Sequence, residues 1–286
     1  MTIYNAALFL ARSLDSVLAQ TFSDWELIAI ENGSTDESAH ILGQYRDSRV
    51  RIVRLEKNIG RTPALRLALE LACGEYVAVL DADDVAQPER LRKQTEYLDR
   101  HSEAAFLGTW AEYIDEDDRC IGRWSPPTEA QALFEGLASE NPIVHSSSMY
   151  RRALAKQVGG YPRDAVHSQD LALWLELVKF GQPALLAEYL CQFRVVSTSM
   201  SRTWRYRLEL ASDQLQLLVK AGKELPLGNT ARRRNREAVA IARMRYAAAL
   251  LGRRRYSAAA KVVALALLMD PMPLFCNRVT RGFLRQ

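Results

Sequence analysis

Apolar positions in the first hundred residues alternate between two periods. Leu10, Leu14, Val17 and Leu18 recur at helical spacing, which predicts an amphipathic helix over about 7–20. WELIAI (25–30) is a short run of strand formers and ends in ENGSTDES, where Gly33 marks a tight turn. Ser34 followed by Glu37 fits a capping box, with a helix over about 35–45. RVRIVRL (49–55) reads as the next strand, KNIGRT as a loop, and PALRLALELA as a helix with Pro63 near its first turn. EYVAVL (75–80) reads as a third, apolar strand, and after DADD, Pro88 opens a helix running to about Arg100.

Strand and helix patterns alternating at this spacing predict an α/β fold with a mostly parallel central sheet flanked by helices. In such sheets ligands bind beyond the carboxyl ends of the strands. Glu31-Asn32 and Asp81-Ala82-Asp83-Asp84 each follow a predicted strand directly, so both acidic clusters are expected side by side at one sheet edge.

Carboxylates at the end of a buried strand are costly as bare anions. A divalent cation offsets that cost, because hard oxygen ligands suit Mg²⁺ or Mn²⁺. Mg²⁺ commonly takes one or two protein carboxylates and fills its shell with water and phosphate oxygens. A D-x-D at a strand end therefore suits a metal–diphosphate site. The same residues also suit a solvated acidic turn whose charge favours the start of the helix at Pro88. An EF-hand is disfavoured, since the sixth and twelfth loop positions hold neither Gly nor Glu.

From Arg202 onward strand patterns stop, and helical patterns run over about 203–222, 230–251 and 256–269. Residues 1–202 are thus expected to form an α/β domain and 203–286 a helical, basic appendage. The arginines cluster as ARRRNRE (231–237), ARMRY (242–246) and GRRRY (252–256). They suit either a solvated face or peripheral contact with an anionic membrane. Nucleic acid is not expected, because aromatic interleaving is sparse and no RNA module motif is present. The overall charge of +4 is mild, and 48% hydrophobic with 25% charged residues is the balance of a soluble globular protein. Cys73, Cys120, Cys191 and Cys276 are far apart, which points to reduced thiols in a cytoplasmic protein rather than a zinc site or disulfide framework. No apolar stretch reaches the roughly 20 residues of a bilayer span, and the N-terminus lacks the pattern of a signal peptide.

Several short segments then occur in a telling order. They are YNA (4–6), SVLAQT (16–21), WELI (25–28), ENGSTD (31–36), NIG (58–60), GEY (74–76), LDADD (80–84), HSSSMYRR (145–152), GGY (159–161) and QDLALWLEL (169–177). Together they resemble the family 2 glycosyltransferases, inverting enzymes with the A-type nucleotide-sugar fold, over about residues 4–200. The resemblance implies transfer of a sugar from a nucleotide-diphosphate donor, most simply a UDP-sugar, to a glycan or lipid-linked acceptor of bacterial cell-surface type. It implies donor contacts at Glu31, Asn32 and Asp81, the metal (Mn²⁺ or Mg²⁺) on Asp83, and Asp170 as general base. His145, Gln169 and Trp174 are acceptor-side candidates, although Trp174 also suits the core and His145 a buried hydrogen-bonded site.

The chain departs from the family pattern at four points. The apolar strand that normally precedes YNA is expected to be missing, either through truncation or with Thr2-Ile3-Tyr4 as all that survives of it. Gln169 stands where a Glu commonly precedes the base, and no His follows Arg194. Arg66 replaces a common Asn and would place a cation near the diphosphate. Two other classes use similar residues: a nucleotidyltransferase, which would need a Gly-rich loop near the first strand, and a non-catalytic nucleotide-sugar-binding relative.

Overall fold

In the computed structural model the described residues are 1–196 and 207–269, with side chains described to Leu265. They divide into two units. The first comprises Met1–Phe134, Pro142–Ala165 and Ala172–Val196; the second comprises Glu135–Asn141, Val166–Leu171 and the chain from Ser197 on. The domain boundary expected at 202 falls outside the described residues.

The first unit begins with a parallel sheet in the order β1 (Thr2–Ile3), β2 (Leu27–Glu31), β3 (Val50–Arg54). Every residue of β2 is buried, because both faces of the strand are covered. Leu27 and Ala29 pack with Leu10, Leu14 and Val17 of α1 (Ala7–Leu18) and with Leu80, Ala82 and Ala86. Ile28 and Ile30, on the opposite face, pack with Ala64, Leu67 and Leu71 of α3 (Arg61–Leu71). The short β1 is a true ladder member: Ile3 pairs with Glu31, and the Met1 carbonyl accepts the Ile30 amide at 2.9 Å.

The expected third parallel strand is the first correction. β4 (Tyr76–Ala78) belongs to a second, six-stranded mixed sheet and pairs antiparallel with β8 (Met149–Arg151). That sheet runs β4-β8-β6-β9-β5, with β5 (Val85–Ala86), β6 (Ala104–Ile114) and β9 (Gln182–Arg194), and β7 (Cys120–Trp124) pairs with β6. β6 and β9 are parallel to each other, and the remaining pairs are antiparallel. Strands from residues 104–194 therefore supply the partners that local periodicity could not assign.

The capping box also fails to form. α2 (Ser38–Leu42) is shorter than expected and has no side-chain cap. Its polar residues serve α1 instead: Ser38 Oγ accepts the Ala6 amide at 2.9 Å and Asp36 Oδ2 the Ala7 amide at 3.0 Å. Donors at the start of one helix are thus satisfied from the loop before another.

Four further helical segments complete the first half of the structure: α4 (Arg90–Arg100), α5 (Ala130–Gly136), α6 (Arg152–Gln157) and α7 (Gln169–Leu177). The unit boundary falls inside α7. The second unit contains α8 (Arg207–Glu224), α9 (Asn229–Gly252) and α10 (Tyr256–Met269). Leu218 of α8 packs against Val239 and Ala242 of α9. No helix among the described residues is long and apolar enough to cross a membrane.

Candidate active site

The DADD turn lies just beyond β4, and its three carboxyl groups are treated differently. Arg61, the first residue of α3, donates through Nη2 to both Asp81 oxygens at 2.7 and 2.6 Å. Burial would raise the Asp81 carboxyl, but the Arg61 charge and His145 outweigh it and hold it below the usual carboxylate range. Asp84 is 1% exposed, and its Oδ1 accepts the Arg194 amide at 2.7 Å. Burial first, and the charges of Asp83 and Asp81 next, push the Asp84 carboxyl well above its ordinary value. Asp83 receives no hydrogen bond from another described residue on its carboxyl group. Burial and the Asp81 charge push it up to about 6.

The turn's backbone is held by buried polar groups. Ser13 Oγ donates to the Asp81 carbonyl at 3.0 Å, and Ser146 Oγ accepts the Asp81 amide at 3.1 Å. Ser16 Oγ accepts the Ala86 amide at 3.1 Å, and Gln20 Nε2 donates to the Gln87 carbonyl at 2.8 Å. Arg194, 2% exposed, donates through Nε to the Asp83 carbonyl at 2.8 Å and through Nη1 to the Asp115 carbonyl at 2.6 Å. Its Nη2 pairs with Asp118. Arg90, also buried, donates to the carbonyls of Val79 and Ser148 at 2.8 and 2.9 Å.

The other acidic cluster meets this turn through the NIG loop. Asn32 Nδ2 donates to Asn58 Oδ1 and the Gly60 carbonyl at 3.2 and 3.3 Å, and its Oδ1 accepts the Ile59 amide at 3.0 Å. Arg61 follows immediately and reaches Asp81. The loops approach so closely that a Cβ at Gly33 (φ +69°) would lie 2.4 Å from the Lys57 carbonyl carbon. Only glycine suits that position. Glu31 is buried, and its Oε1 accepts the Ser34 amide at 2.6 Å, so it shapes its own loop. The expected juxtaposition of the two clusters is therefore present, with Arg61 as the link.

The remaining candidates divide clearly. His145 is buried, with Nδ1 3.2 Å from Arg61 Nη2 and Nε2 3.0 Å from Tyr161 Oη. Tyr150 Oη lies 3.2 Å from the same Tyr161 hydroxyl, so His145 backs Arg61 from within a buried polar chain. Arg66 donates Nη1 to the carbonyls of Gly159 and Tyr161 at 2.8 and 2.5 Å. Its guanidinium thus fastens the GGY turn. Trp174 is fully buried and stacked on Phe106 at 4.8 Å between ring centroids. The ring is thus part of the core, the other place the sequence suited it to. Gln169 and Asp170 belong to the second unit, where Gln169 is 3% exposed and Asn141 Nδ2 donates to Asp170 Oδ2 at 2.8 Å.

Arg61, Arg194 and the Ser13–Ser16–Gln20 stripe were not singled out by sequence. The stripe did leave a signal: these polar residues share a helical face with Leu10, Leu14 and Val17, where an amphipathic helix should be apolar.

The acidic turn fits a divalent cation by its chemistry. Asp83 offers a half-buried hard-oxygen ligand without a hydrogen-bonded partner, in a surplus of negative charge. No cluster of three or more His, Cys, Asp or Glu side chains that could hold a metal occurs among the described residues. An ion here would therefore need oxygens from a ligand as well.

Residues 1–159 match the family described as Glycosyl transferase family 2. A putative teichuronic acid biosynthesis glycosyltransferase, TuaG of Bacillus subtilis, is 34% identical over 202 residues, covering 69% of this chain and 78% of its own. S. aureus TarS in complex with UDP-GlcNAc has a similar fold, with TM-score 0.66 and 18% identity over 86% of this chain and 70% of that one. The mannosyltransferase PcManGT from Pyrobaculum calidifontis, in complex with GDP-Man and Mn²⁺, gives TM-score 0.60 and 20% identity over 94% of this chain and 79% of that one. The paired acidic loops thus sit in a glycosyltransferase, and the chain belongs to glycosyl transferase family 2.

Proposed function

We propose that this chain moves a sugar, with inversion at the anomeric carbon, from a UDP-sugar to a hydroxyl of a glycan or lipid-linked acceptor during synthesis of a cell-surface polysaccharide. The observation that carries the reading is the carboxyl group of Asp83, half-buried, without a hydrogen-bond donor from another described residue and adjacent to a carboxylate already neutralised by Arg61. A site built that way calls for a cation. The names of TuaG and of the nucleotide-sugar-bound neighbours support the donor class and the polysaccharide setting.

In this reading Asp83 would hold Mn²⁺ or Mg²⁺. The metal, when bound, supplies a Lewis acid for the charge that grows on the departing diphosphate. Glu31, Asn32 and Asp81 define the donor side, with Arg61 fixing the Asp81 carboxylate. Asp170 takes the proton from the acceptor hydroxyl, the task of a general base within hydrogen-bond reach. The exposed arginines of the helical unit, among them Arg234, Arg236 and Arg254, provide peripheral attachment to an anionic inner membrane face near a lipid-linked acceptor.

Incubation with a panel of nucleotide sugars and Mn²⁺ should release nucleoside diphosphate with one of them. Release with none, in the presence of candidate acceptors, would count against the proposal. Sedimentation with anionic vesicles at low salt tests the attachment; no binding would remove it.

A further inference from the structure

The C-terminal helices bury polar side chains where an apolar helix pair would suffice. Asp213 of α8 is 9% exposed, and its Oδ2 accepts the consecutive amides of Val166 and His167, each at 2.8 Å. Those amides stand just ahead of Gln169–Asp170 at the start of α7. Asn235 of α9 is 6% exposed and donates Nδ2 to the carbonyls of Ala138 and Leu218 at 2.6 and 2.9 Å. Ala138 is three residues from Asn141, whose side chain donates to Asp170. One contact, from α8, therefore reaches the segment just ahead of Asp170, and another, from α9, reaches the segment that carries its partner Asn141.

Neither contact is accidental packing. A Cβ at Gly222 of α8 would lie 2.2 Å from Asn235 Oδ1, so α8 gives up a side chain where Asn235 sits. A buried carboxylate is costly unless hydrogen bonds repay it. Here the donors are backbone amides of the segment bearing Asp170. Through them the carboxylate fixes where α7 begins.

We propose that Asp213 and Asn235 are positioning residues, which hold the segment that bears Asp170. The proposal rests on the reading of Asp170 as the general base. Asp213 acts on backbone, and Asn235 acts through the 138–141 segment on the Asp170 side chain.

Asp213→Ala and Asp213→Asn in the full chain test this, with hydrogen exchange, donor affinity and turnover read together. The alanine variant should speed exchange at Val166 and His167. It should also lower kcat about 10- to 100-fold, the scale of a misplaced catalytic group, while leaving donor affinity within about twofold. The asparagine variant retains an accepting oxygen and should recover most of kcat. Unchanged kcat despite faster exchange, or an equal loss of donor affinity, would overturn the proposal. If the alanine variant does not fold, Asn235→Ala carries the same comparison through the second contact. Asp170→Asn, run in parallel, separates the two ideas. Normal turnover there removes the base assignment, whereas the exchange and kcat of the Asp213 variants still report on the segment.

Discussion

The DADD turn and the Asp170 segment carry their acids in opposite ways. The turn is over-determined: Ser13, Arg61, Ser146 and Arg194 each bind it independently, and most of these groups are buried. The Asp170 segment is held by Asp213 at the Val166 and His167 amides and by Asn141 at the Asp170 carboxyl group. The lesson is that a cluster of like charges needs several enforcers to keep one carboxyl group unpartnered. A lone carboxyl needs orientation, which hydrogen bonds to its side chain and to the backbone ahead of it provide.

The sharpest break in that comparison comes from the acids themselves. Asp170→Asn should cut kcat about 10²- to 10⁴-fold, the usual share of a general base, with donor binding preserved. Turnover assays beside nucleotide titrations will separate the two effects. Arg194→Ala comes next, because it strips a buried cation from the backbone of the turn and leaves carbonyls unsatisfied. It should cost about 3–5 kcal/mol, read by denaturant unfolding. A loss under about 1 kcal/mol would mean that the turn does not depend on this clamp.

Asp83→Asn should have a smaller and opposite effect on the metal-free protein. The folded-state value of about 6 lies above the ordinary 3.8, so the folded chain binds more protons than the unfolded chain between those values. Stability contributed by the protonated form is therefore lost as pH rises through that window. The variant should gain on the order of 1–2 kcal/mol over the parent at pH 8 and nothing at pH 3. Parallel unfolding curves at the two pH values will show it.

Legibility in the sequence followed the range of the interactions. The first sheet's helices and strands were readable because Leu10, Leu14 and Val17, and the run 27–31, carry their pattern locally. The approach of the Asn32 and Asp81 loops was expected from strand ends, although the two strands belong to different sheets and the loops meet through the 58–61 segment. What could not be read was β4 choosing β8, with Val77 opposite Tyr150 across 73 residues of chain, since antiparallel partners leave no local trace. The partners of Arg66 and Trp174 were hidden for a related reason. A cation or an aromatic near a motif looks available until the carbonyls of Gly159 and Tyr161, or the ring of Phe106, are seen to occupy it. Asp213 and Asn235 were silent because their partners are backbone groups far away in sequence.

The central claim is that Asp83 is the one acid of its turn kept open for a metal-bound diphosphate. Titration of UDP into the parent and Asp83→Ala proteins, with Mn²⁺ and then with excess chelator, tests it most directly. The account predicts that the parent loses at least about tenfold in affinity when the metal is removed, a difference of about 1.4 kcal/mol. The variant should bind weakly in both conditions. Equal affinity of the two proteins in the presence of Mn²⁺ would contradict it.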